Sequence, residues 1–270
     1  MSITSSKKWV LVFLSNEPYI NKAFDSIKLA RTTGKWKDDI VLLVSSTLYN
    51  DKTIQNKSND LNIILREVPN RNFDTILNVW RKHPNHSDYN YVLQRGFMYN
   101  KFCVFDIYFK QWDIVFYLDA GVHIQGSLER MKESCEPDKC LYGHSDSYPN
   151  YIWKFNIQFD LKLFENKENK QEFINTYSSF FDKDYFQGTM FIYDTTIIED
   201  NTVERLFELN EKYPIAKRMD QGILNLYFMC EKNLWKQIPI KDKDGFLYDY
   251  HERNNYKKND YLILKGSNTN

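Results

Sequence analysis

Short apolar runs alternate with a helical pattern over the first seventy residues, and this alternation limits the fold more than any other feature of the chain. The helical pattern covers residues 18–31, where Ala23, Ile27 and Ala30 recur at helical spacing before Thr33 and Gly34. The apolar runs are WVLVFL at 9–14, DDIVLLVSS at 38–46 and LNIILREV at 61–68. Continuous runs of this length are typical of strands buried on both faces. The pattern therefore predicts an α/β fold in which helices cover a mostly parallel central sheet.

A fourth apolar run, DIVFYLDAGVHIQG at 113–126, ends in a carboxylate. Phe102, Phe105 and Phe109 predict a helix between 98 and 110 that leads directly into this strand. Ligands of open α/β sheets gather at the carboxyl ends of strands, where Asp119 would lie. Asp119 is then either a solvated strand end or a ligand for a divalent cation, with His123 on the same side of the extended chain.

The second half of the chain has a looser pattern. Its predicted elements are a polar, aromatic loop at 143–155, a helix that starts in the charged stretch 165–172, a strand at 184–194, helices at 196–213 and 219–230, and a polar tail at 238–270. No internal repeat and no Gly/Ser-rich linker interrupts these segments, which favours a single domain over residues 1–270.

Composition excludes several classes of protein. The chain carries 36 basic and 36 acidic residues, so a nucleic-acid partner is not expected. The apolar run at 9–14 is too short for a signal peptide, and no later segment is long and apolar enough to cross a membrane. Cys135 and Cys140 lack zinc-site spacing, and they and the other two cysteines, Cys103 and Cys230, are predicted to be free thiols in the cytoplasm.

Five segments, in order along the chain, resemble the GT-A nucleotide-sugar glycosyltransferases, most closely the glycogenin-like and galactosyltransferase-like members of family 8. The segments are FLSNEPYINKAFDSIKLAR, YNKFCVFDIYFKQWDIVFYLDAG, FQGTMFIYD, MDQGILNLYF and a late His251. The resemblance implies a Rossmann-like GT-A domain with a nucleotide-binding half at 1–126 and an acceptor and sugar half at 127–270. It also implies transfer of a sugar from a nucleoside diphosphate sugar, with UDP as the expected nucleotide, to a hydroxyl of a glycan, protein or small molecule. Family 8 retains the anomeric configuration and uses manganese or magnesium.

The resemblance also assigns roles to individual residues. Those expected to bind the donor are Ser15 and Asn16 at the base or ribose, Lys101 and Lys257 at the phosphates, and Gln187 and Gly188 at the sugar. The expected metal ligands are Asp119, His251 and His123. Asp220 and Gln221 would lie beside the transferred sugar and stabilise its positive charge, and Asp146 could join them.

Three positions or segments depart from the family pattern. Gly121 stands where the family has the second aspartate of its metal-binding DxD motif, and the family's FNSG segment appears here as FQGT at 186–189. Asn254 stands where the family has a glycine. After glycine, asparagine is the residue that adopts a left-handed backbone conformation most readily.

Several of these assignments have a structural alternative. Ser15 and Asn16 could form an ordinary turn, Lys101 could be a surface lysine, and Asp220 could be a helix cap. His251 and Lys257 could belong to a solvated tail. His83 and His86 are expected at the surface.

Two other functions remain open besides a retaining transferase. Gly121 is compatible with a non-catalytic relative that binds a nucleotide sugar or glycan. A nucleotidyltransferase is less favoured, because the chain lacks an early Gly-rich, basic phosphate loop.

An inverting enzyme would need Asp220 or Asp146 as its base. The oligomeric state is open, with a homodimer as one option.

Overall fold

The computed structural model describes residues 7–250 and 260–265. Within them, the strands are β1 (Trp9–Ser15), β2 (Asp39–Val44), β3 (Ile64–Glu67), β4 (Ile114–Leu118), β5 (Val122–Ile124), β6 (Leu141–Ser145), β7 (Phe186–Asp194), β8 (Trp235–Gln237), β9 (Lys241–Asp242), β10 (Gly245–Tyr250) and β11 (Tyr261–Lys265). The α-helices are α1 (Ile20–Arg31), α2 (Ser46–Tyr49), α3 (Lys52–Asp60), α4 (Asp74–Arg81), α5 (Tyr89–Leu93), α6 (Glu129–Ser134), α7 (Lys167–Tyr177), α8 (Thr202–Lys212) and α9 (Asp220–Asn225).

Seven strands form the central sheet, in the order β3-β2-β1-β4-β7-β6-β8. β1 pairs in parallel with β2 and β4, and β2 pairs in parallel with β3. β7 runs antiparallel to both β4 and β6, whereas β8 is parallel to β6. The predicted α/β fold with a mostly parallel central sheet is therefore confirmed.

The continuous apolar runs are explained by the two cores that the sheet separates. In β1, Val10 and Val12 pack into one buried cluster, whereas Leu11 and Phe13 pack into the other. Successive side chains of a strand point to opposite faces, so a strand with a core on each side must be apolar at every position. All seven residues of β1 are buried.

A second sheet of four strands, in the order β5-β11-β10-β9, lies beside the carboxyl end of β4. β5 follows β4 after a three-residue turn and pairs antiparallel with β11, so that Leu264 faces His123 and Lys265 faces Val122. The prediction of a polar tail over 238–270 was wrong for the described part of that range. Leu262 and Ile263 are buried in the core, which places the late strand β11 directly against the turn that follows β4.

Other predicted elements changed in detail. The region predicted as one helix at 98–110 forms two 3-10 helices, Gly96–Phe105 and Ile107–Gln111. The break lies at Asp106, whose backbone is extended and whose side chain accepts a hydrogen bond from the Tyr108 amide. The first three residues of the loop predicted at 143–155 belong instead to β6, which spans Leu141–Ser145. The helix predicted at 219–230 starts as α9 and continues as a π-helix, Leu226–Glu231.

None of the described helices combines the length and the apolar character needed to cross a bilayer. All four cysteines are free thiols, as predicted, and three of them are buried.

Candidate active site

A cavity of about 1040 Å³ opens at the carboxyl ends of β1 and β4. Its volume is at the upper end of the range that small-molecule sites occupy in proteins. Most of the residues predicted for the site in the described part of the chain line it. They are Ser15, Asn16, Lys101, Asp119, His123, Asp146, Gly188, Asp220 and Gln221.

Asp119 lies where the sequence predicted it, directly after β4. Its backbone N–H donates to the Thr189 carbonyl at 2.9 Å, which fixes the turn against β7. Its Oδ1 accepts a hydrogen bond from the Tyr117 hydroxyl at 2.6 Å and lies 3.1 Å from Lys101 Nζ. The carboxylate is thus paired inside the protein, and it is not the solvated strand end that was its alternative.

Lys101 is the centre of a buried charge cluster, and its side chain is only 3% exposed. Its ammonium lies 2.8 Å from Asp220 Oδ2 and donates to the Gly188 carbonyl at 2.8 Å, in addition to the Asp119 contact. Burial alone would lower the pKa of Lys101, but the neighbouring Asp119 and Asp220 carboxylates raise it above its ordinary value.

These contacts revise the expected role of Lys101. An ammonium has three protons, and here three protein oxygens lie within their reach. The sequence predicted that Lys101 would neutralise a donor phosphate or lie on the surface. Its geometry instead suits a residue that holds two carboxylates in place.

Asp220 is the first residue of α9, a helix that packs against β7, and it lines the same cavity. Burial raises its pKa to about 6, and the nearby Asp119 carboxylate adds to this, although the Lys101 ammonium acts in the opposite direction. A carboxyl group with this pKa is mostly ionised at neutral pH and becomes neutral in mild acid.

Gln221, the next residue, has its amide fixed by three contacts. Its Oε1 accepts from the Gly188 backbone N–H at 3.0 Å, and its Nε2 donates to Asp146 Oδ2 and to Gln158 Oε1, each at 3.1 Å. Asp146 also accepts from the Tyr185 hydroxyl at 2.7 Å. Asp146 therefore lines the same cavity and is hydrogen-bonded to the end of the Gln221 side chain.

Gly188 is the residue of β7 that allows α9 to approach so closely. A Cβ atom at this position would lie 2.9 Å from Asp220 Oδ2 and 3.5 Å from the Gln221 Cβ. Gln187, which was also expected at the sugar, is fully buried, and its Oε1 accepts from the hydroxyls of Thr189 and Tyr248 at 3.1 Å each. Thr189 reaches the cavity and Gln187 does not line it, so the expectation for Gln187 is revised.

Gly121 occupies a turn that needs its conformational freedom, since its φ is +79°. Its N–H donates to Ser26 Oγ at 3.0 Å, and that hydroxyl donates to the Val122 carbonyl at 3.1 Å. A Cβ at Gly121 would lie 3.6 Å from Lys22 Cδ and 3.9 Å from Lys265 Nζ. Two lysine side chains therefore border the space that a side chain at this position would enter.

Four basic residues that the sequence did not assign to the site also line the cavity: Lys22, Arg95, Arg218 and Lys265. Arg218 forms an ion pair with Asp88 at 2.6 Å. Lys265 Nζ donates to the Ala120 carbonyl at 2.5 Å. Burial lowers the pKa of Lys265; Asp119 opposes this, and the positive charges of Lys101, Lys22 and Arg95 add to it. The position of Lys22 on α1, the helix after the first strand, was the one signal in the sequence that could have identified any of the four.

The described residues fit a divalent cation poorly. They contain no group of three or more histidine, cysteine, aspartate or glutamate side chains placed to hold a metal ion. Asp119 Oδ1 already contacts an ammonium and a hydroxyl, and Gly121 supplies no carboxylate. The ammonium of Lys265 lies one residue away, at Ala120, and would repel a second cation. His123 lines the cavity, whereas His251 and Lys257 lie outside the described residues, so the predicted metal set stays a prediction.

The histidines expected at the surface differ from each other. His86 Nε2 lies 2.8 Å from Asp160 Oδ2, and its side chain is only 14% exposed, so the surface prediction was wrong for this residue. The ring also packs edge-on against Trp80. His83 is half-buried, and neither histidine lines the cavity.

No protein-family model matches the chain. Galactinol synthase 1 of Arabidopsis thaliana is 22% identical over 132 residues, which are 49% of this chain and 36% of that protein. The chain thus spans about a third of that curated relative.

Solved structures share the fold over most of the chain. The apo structure of the bifunctional glycosyltransferase WbbM matches with a TM-score of 0.61 and 16% identity, over 100% of this chain and 47% of that one. The galactosyltransferase LgtC, in complex with donor and acceptor sugar analogues, matches with a TM-score of 0.55 and 12% identity, over 96% and 87% of the two chains. Core-mannan synthase A from Aspergillus fumigatus, in its Mn/GDP form, matches with a TM-score of 0.51 and 8% identity, over 88% and 74%.

The chain has the GT-A fold, in which the cavity lies at the carboxyl ends of the central strands. Within that class it is similar to the family 8 glycosyltransferases, as its sequence motifs predicted.

Proposed function

We propose that this protein is a glycosyltransferase that moves a sugar from a nucleoside diphosphate sugar to a hydroxyl acceptor. One observation carries the proposal: the large cavity collects Ser15, Asp119, Asp220 and Gln221, which come from three separate stretches of sequence, at the strand ends where GT-A proteins bind their donors. The donor nucleotide is proposed to be UDP and the outcome retention, both from the resemblance to family 8.

The donor would lie across the cavity from β1 to α9. Ser15 is the last residue of β1 and Asn16 follows it, so both are available to the base or ribose at one end. Asp220 and Gln221 are available to the transferred sugar at the other end. The diphosphate would then lie between them, near Asp119 and Gly121.

In the transfer step, the bond between the anomeric carbon and the diphosphate oxygen breaks, and its electron pair stays with the diphosphate. The anomeric carbon forms a new bond to the acceptor oxygen, whose proton passes to the departing diphosphate. The buried Asp220 carboxylate would stabilise the positive charge that develops on the sugar, because charges interact strongly where water is excluded. Lys101 would hold Asp220 and Asp119 at fixed positions and so keep the site preorganised.

A divalent cation held by Asp119, His123 and His251 is what the family resemblance predicts for the diphosphate, and it would neutralise charge on the leaving group. We assign no step to it, because the described residues fit a cation poorly. Free, buried thiols are in keeping with a cytoplasmic location, which remains a proposal.

The test is release of nucleoside diphosphate from a panel of UDP- and GDP-sugars, measured with EDTA and with manganese, together with NMR of the anomeric configuration of any product. Asp220→Asn is expected to lower the rate at least about 100-fold, as loss of a group that stabilises a transition state does. Glu172→Gln is the control, because this exposed carboxylate pairs with Lys212 on the surface and does not line the cavity.

The second candidate, a non-catalytic protein that binds a nucleotide sugar or glycan, is favoured by the missing carboxylate at Gly121. It predicts a thermal shift with a nucleotide sugar but neither hydrolysis nor transfer. Absence of release with every donor, with and without manganese, would refute the transferase. Absence of a thermal shift as well would refute both candidates.

A further inference from the structure

Three basic residues of the cavity lining form no salt bridge within the described residues, and two of them border Gly121. Five basic residues line the whole cavity, and two of them are neutralised: Lys101 by Asp119 and Asp220, and Arg218 by Asp88. The other three are Lys22, Arg95 and Lys265. None of these three forms a salt bridge with another described residue.

Strand pairing holds Lys265 beside the turn that contains Gly121. It is the last residue of β11, which pairs with β5, and β5 begins one residue after Gly121. Its ammonium is anchored on one side by the Ala120 carbonyl. One proton is used by that contact, so two remain for oxygens of a ligand.

Lys22 approaches Gly121 from a different element of the fold. It lies on α1, and its Cδ would be in van der Waals contact with any Cβ at Gly121. Ser26, one turn further along α1, bonds the Gly121 N–H and the Val122 carbonyl, so this helix is fixed against the turn. Two lysines from two different elements therefore converge on Gly121.

We propose that the ammonium groups of Lys265 and Lys22 bind the diphosphate of the donor and neutralise it as it departs, so that this protein does not need a divalent cation. The proposal rests on the transferase function above and specifies its charge chemistry. The glycine is then part of the arrangement, because the absence of a side chain leaves room for the phosphate oxygens between the two lysines.

The same bonds break and form as in the transfer step. The lysines remain protonated throughout, and they contribute charge-assisted hydrogen bonds to oxygens whose negative charge grows as the glycosidic bond breaks. No proton or electron is taken from an unnamed partner.

The experiment is calorimetric titration of the full chain with UDP and with GDP, once in EDTA and once in manganese chloride. We expect a nucleoside diphosphate to bind in EDTA within about 3-fold of its affinity in manganese. Lys265→Met is expected to weaken binding in EDTA by roughly 10- to 100-fold, which corresponds to the loss of a hydrogen bond to a charged group. Binding of the uncharged nucleoside uridine should not change.

Two further variants keep the result interpretable. Lys265→Arg retains the charge and should restore most of the affinity that Lys265→Met loses, which loss of folding would not allow. Lys28→Met is the matched control, because Lys28 lies on the same helix as Lys22 and is exposed away from the cavity. The Lys28→Met variant should bind UDP and GDP with the same affinity as the unmodified protein.

The outcomes separate this proposal from the proposed function. Binding that requires manganese and disappears in EDTA would overturn the lysine proposal and leave the transferase intact. Binding in EDTA that Lys265→Met does not weaken would also overturn it. If neither nucleotide binds in either condition, both the lysine proposal and the proposed function fail.

Discussion

Lys101→Met removes the ammonium that pairs two buried carboxylates. Methionine keeps an unbranched, flexible side chain of similar length, so the change removes charge without leaving a large cavity. The side chains of Asp119 and Asp220 are 14% and 8% exposed, so water cannot replace the lost partner. Breaking a buried ion pair in this way typically costs 3–5 kcal/mol, about ten times more than an exposed pair contributes.

The loss in the free energy of unfolding should therefore be about 4 kcal/mol at pH 8. With an unfolding entropy of about 2.1 cal/mol/K per residue over 270 residues, this lowers Tm by about 7 °C. The loss should shrink in acid, because the ammonium is one of the groups that hold the pKa of Asp220 down. Without Lys101 that pKa rises further above about 6, the Asp220 carboxyl becomes neutral by pH 5, and one of the two uncompensated charges disappears.

Urea unfolding at pH 8 and pH 5 measures both effects. Lys212→Met is the control, since its ion pair with Glu172 is exposed and its removal should cost less than about 1 kcal/mol at either pH. The double variant with Asp220→Asn should recover part of the loss, because one of the two unpaired charges is then gone. A loss below about 1 kcal/mol, or the same loss at both values of pH, would refute the assignment of Lys101 as the partner of both carboxylates.

Two further predictions concern the same cavity, and a third concerns Gly143 in β6, outside its lining. The transfer rate should rise as pH increases through about 6, as Asp220 ionises; a pH–rate profile tests this, and a flat profile between pH 5 and 8 would contradict it. Gly188→Ala should weaken donor binding, because its Cβ would lie 2.9 Å from Asp220 Oδ2 and displace the carboxylate; unchanged KM and kcat would contradict this. Gly143→Ala should instead lower stability by about 1–3 kcal/mol with little change in donor KM, because its Cβ would lie 2.8 Å from the Phe186 Cβ, outside the cavity lining; unfolding curves and kinetics test the two parts separately.

Wild-type stability should also depend on Asp220. Its folded-state pKa is raised from 3.8 to about 6, so its neutral form is favoured by folding. The stabilisation is complete below the unfolded value and is lost as pH rises through about 6, and a shift of this size corresponds to about 3 kcal/mol. Asp220→Asn should remove this part of the pH dependence of unfolding, and a profile unchanged by the substitution would contradict the assignment.

The first half of the fold could be predicted because its signals are local. A strand buried on both faces must be apolar throughout, so β1, β2 and β4 are visible as runs of residues, and Asp119 stands out as the charge at the end of one run. The residues around it were also found through motifs, since Asp220 and Gln221 open a helix in the family's order.

The second sheet and its lysine could not be predicted, because no local pattern identifies their partner. Lys265 and the Ala120 carbonyl that it contacts are 145 residues apart, and their contact follows from the pairing of β11 with β5. The resemblance to family 8 instead implied Lys257 as the late basic residue at the phosphates. Lys101 was assigned to the surface or to a phosphate, because sequence alone does not show that three oxygens surround its ammonium.

The question that the sequence raised at Gly121 can be decided by one pair of substitutions. Asn and Asp have nearly the same shape, and both adopt positive φ more readily than other non-glycine residues, so Gly121→Asn and Gly121→Asp carry similar backbone strain. They differ in one negative charge, which would lie within reach of Lys265 and Lys22. If those lysines bind the diphosphate, the added carboxylate competes with it, and Gly121→Asp should bind UDP in EDTA roughly 10-fold or more weakly than Gly121→Asn. If the turn instead forms a metal site that lacks only its second carboxylate, Gly121→Asp should bind UDP more tightly in manganese than the unmodified protein does. The two arrangements thus predict opposite effects of the same charge, because a carboxylate completes a cation site and neutralises a lysine site.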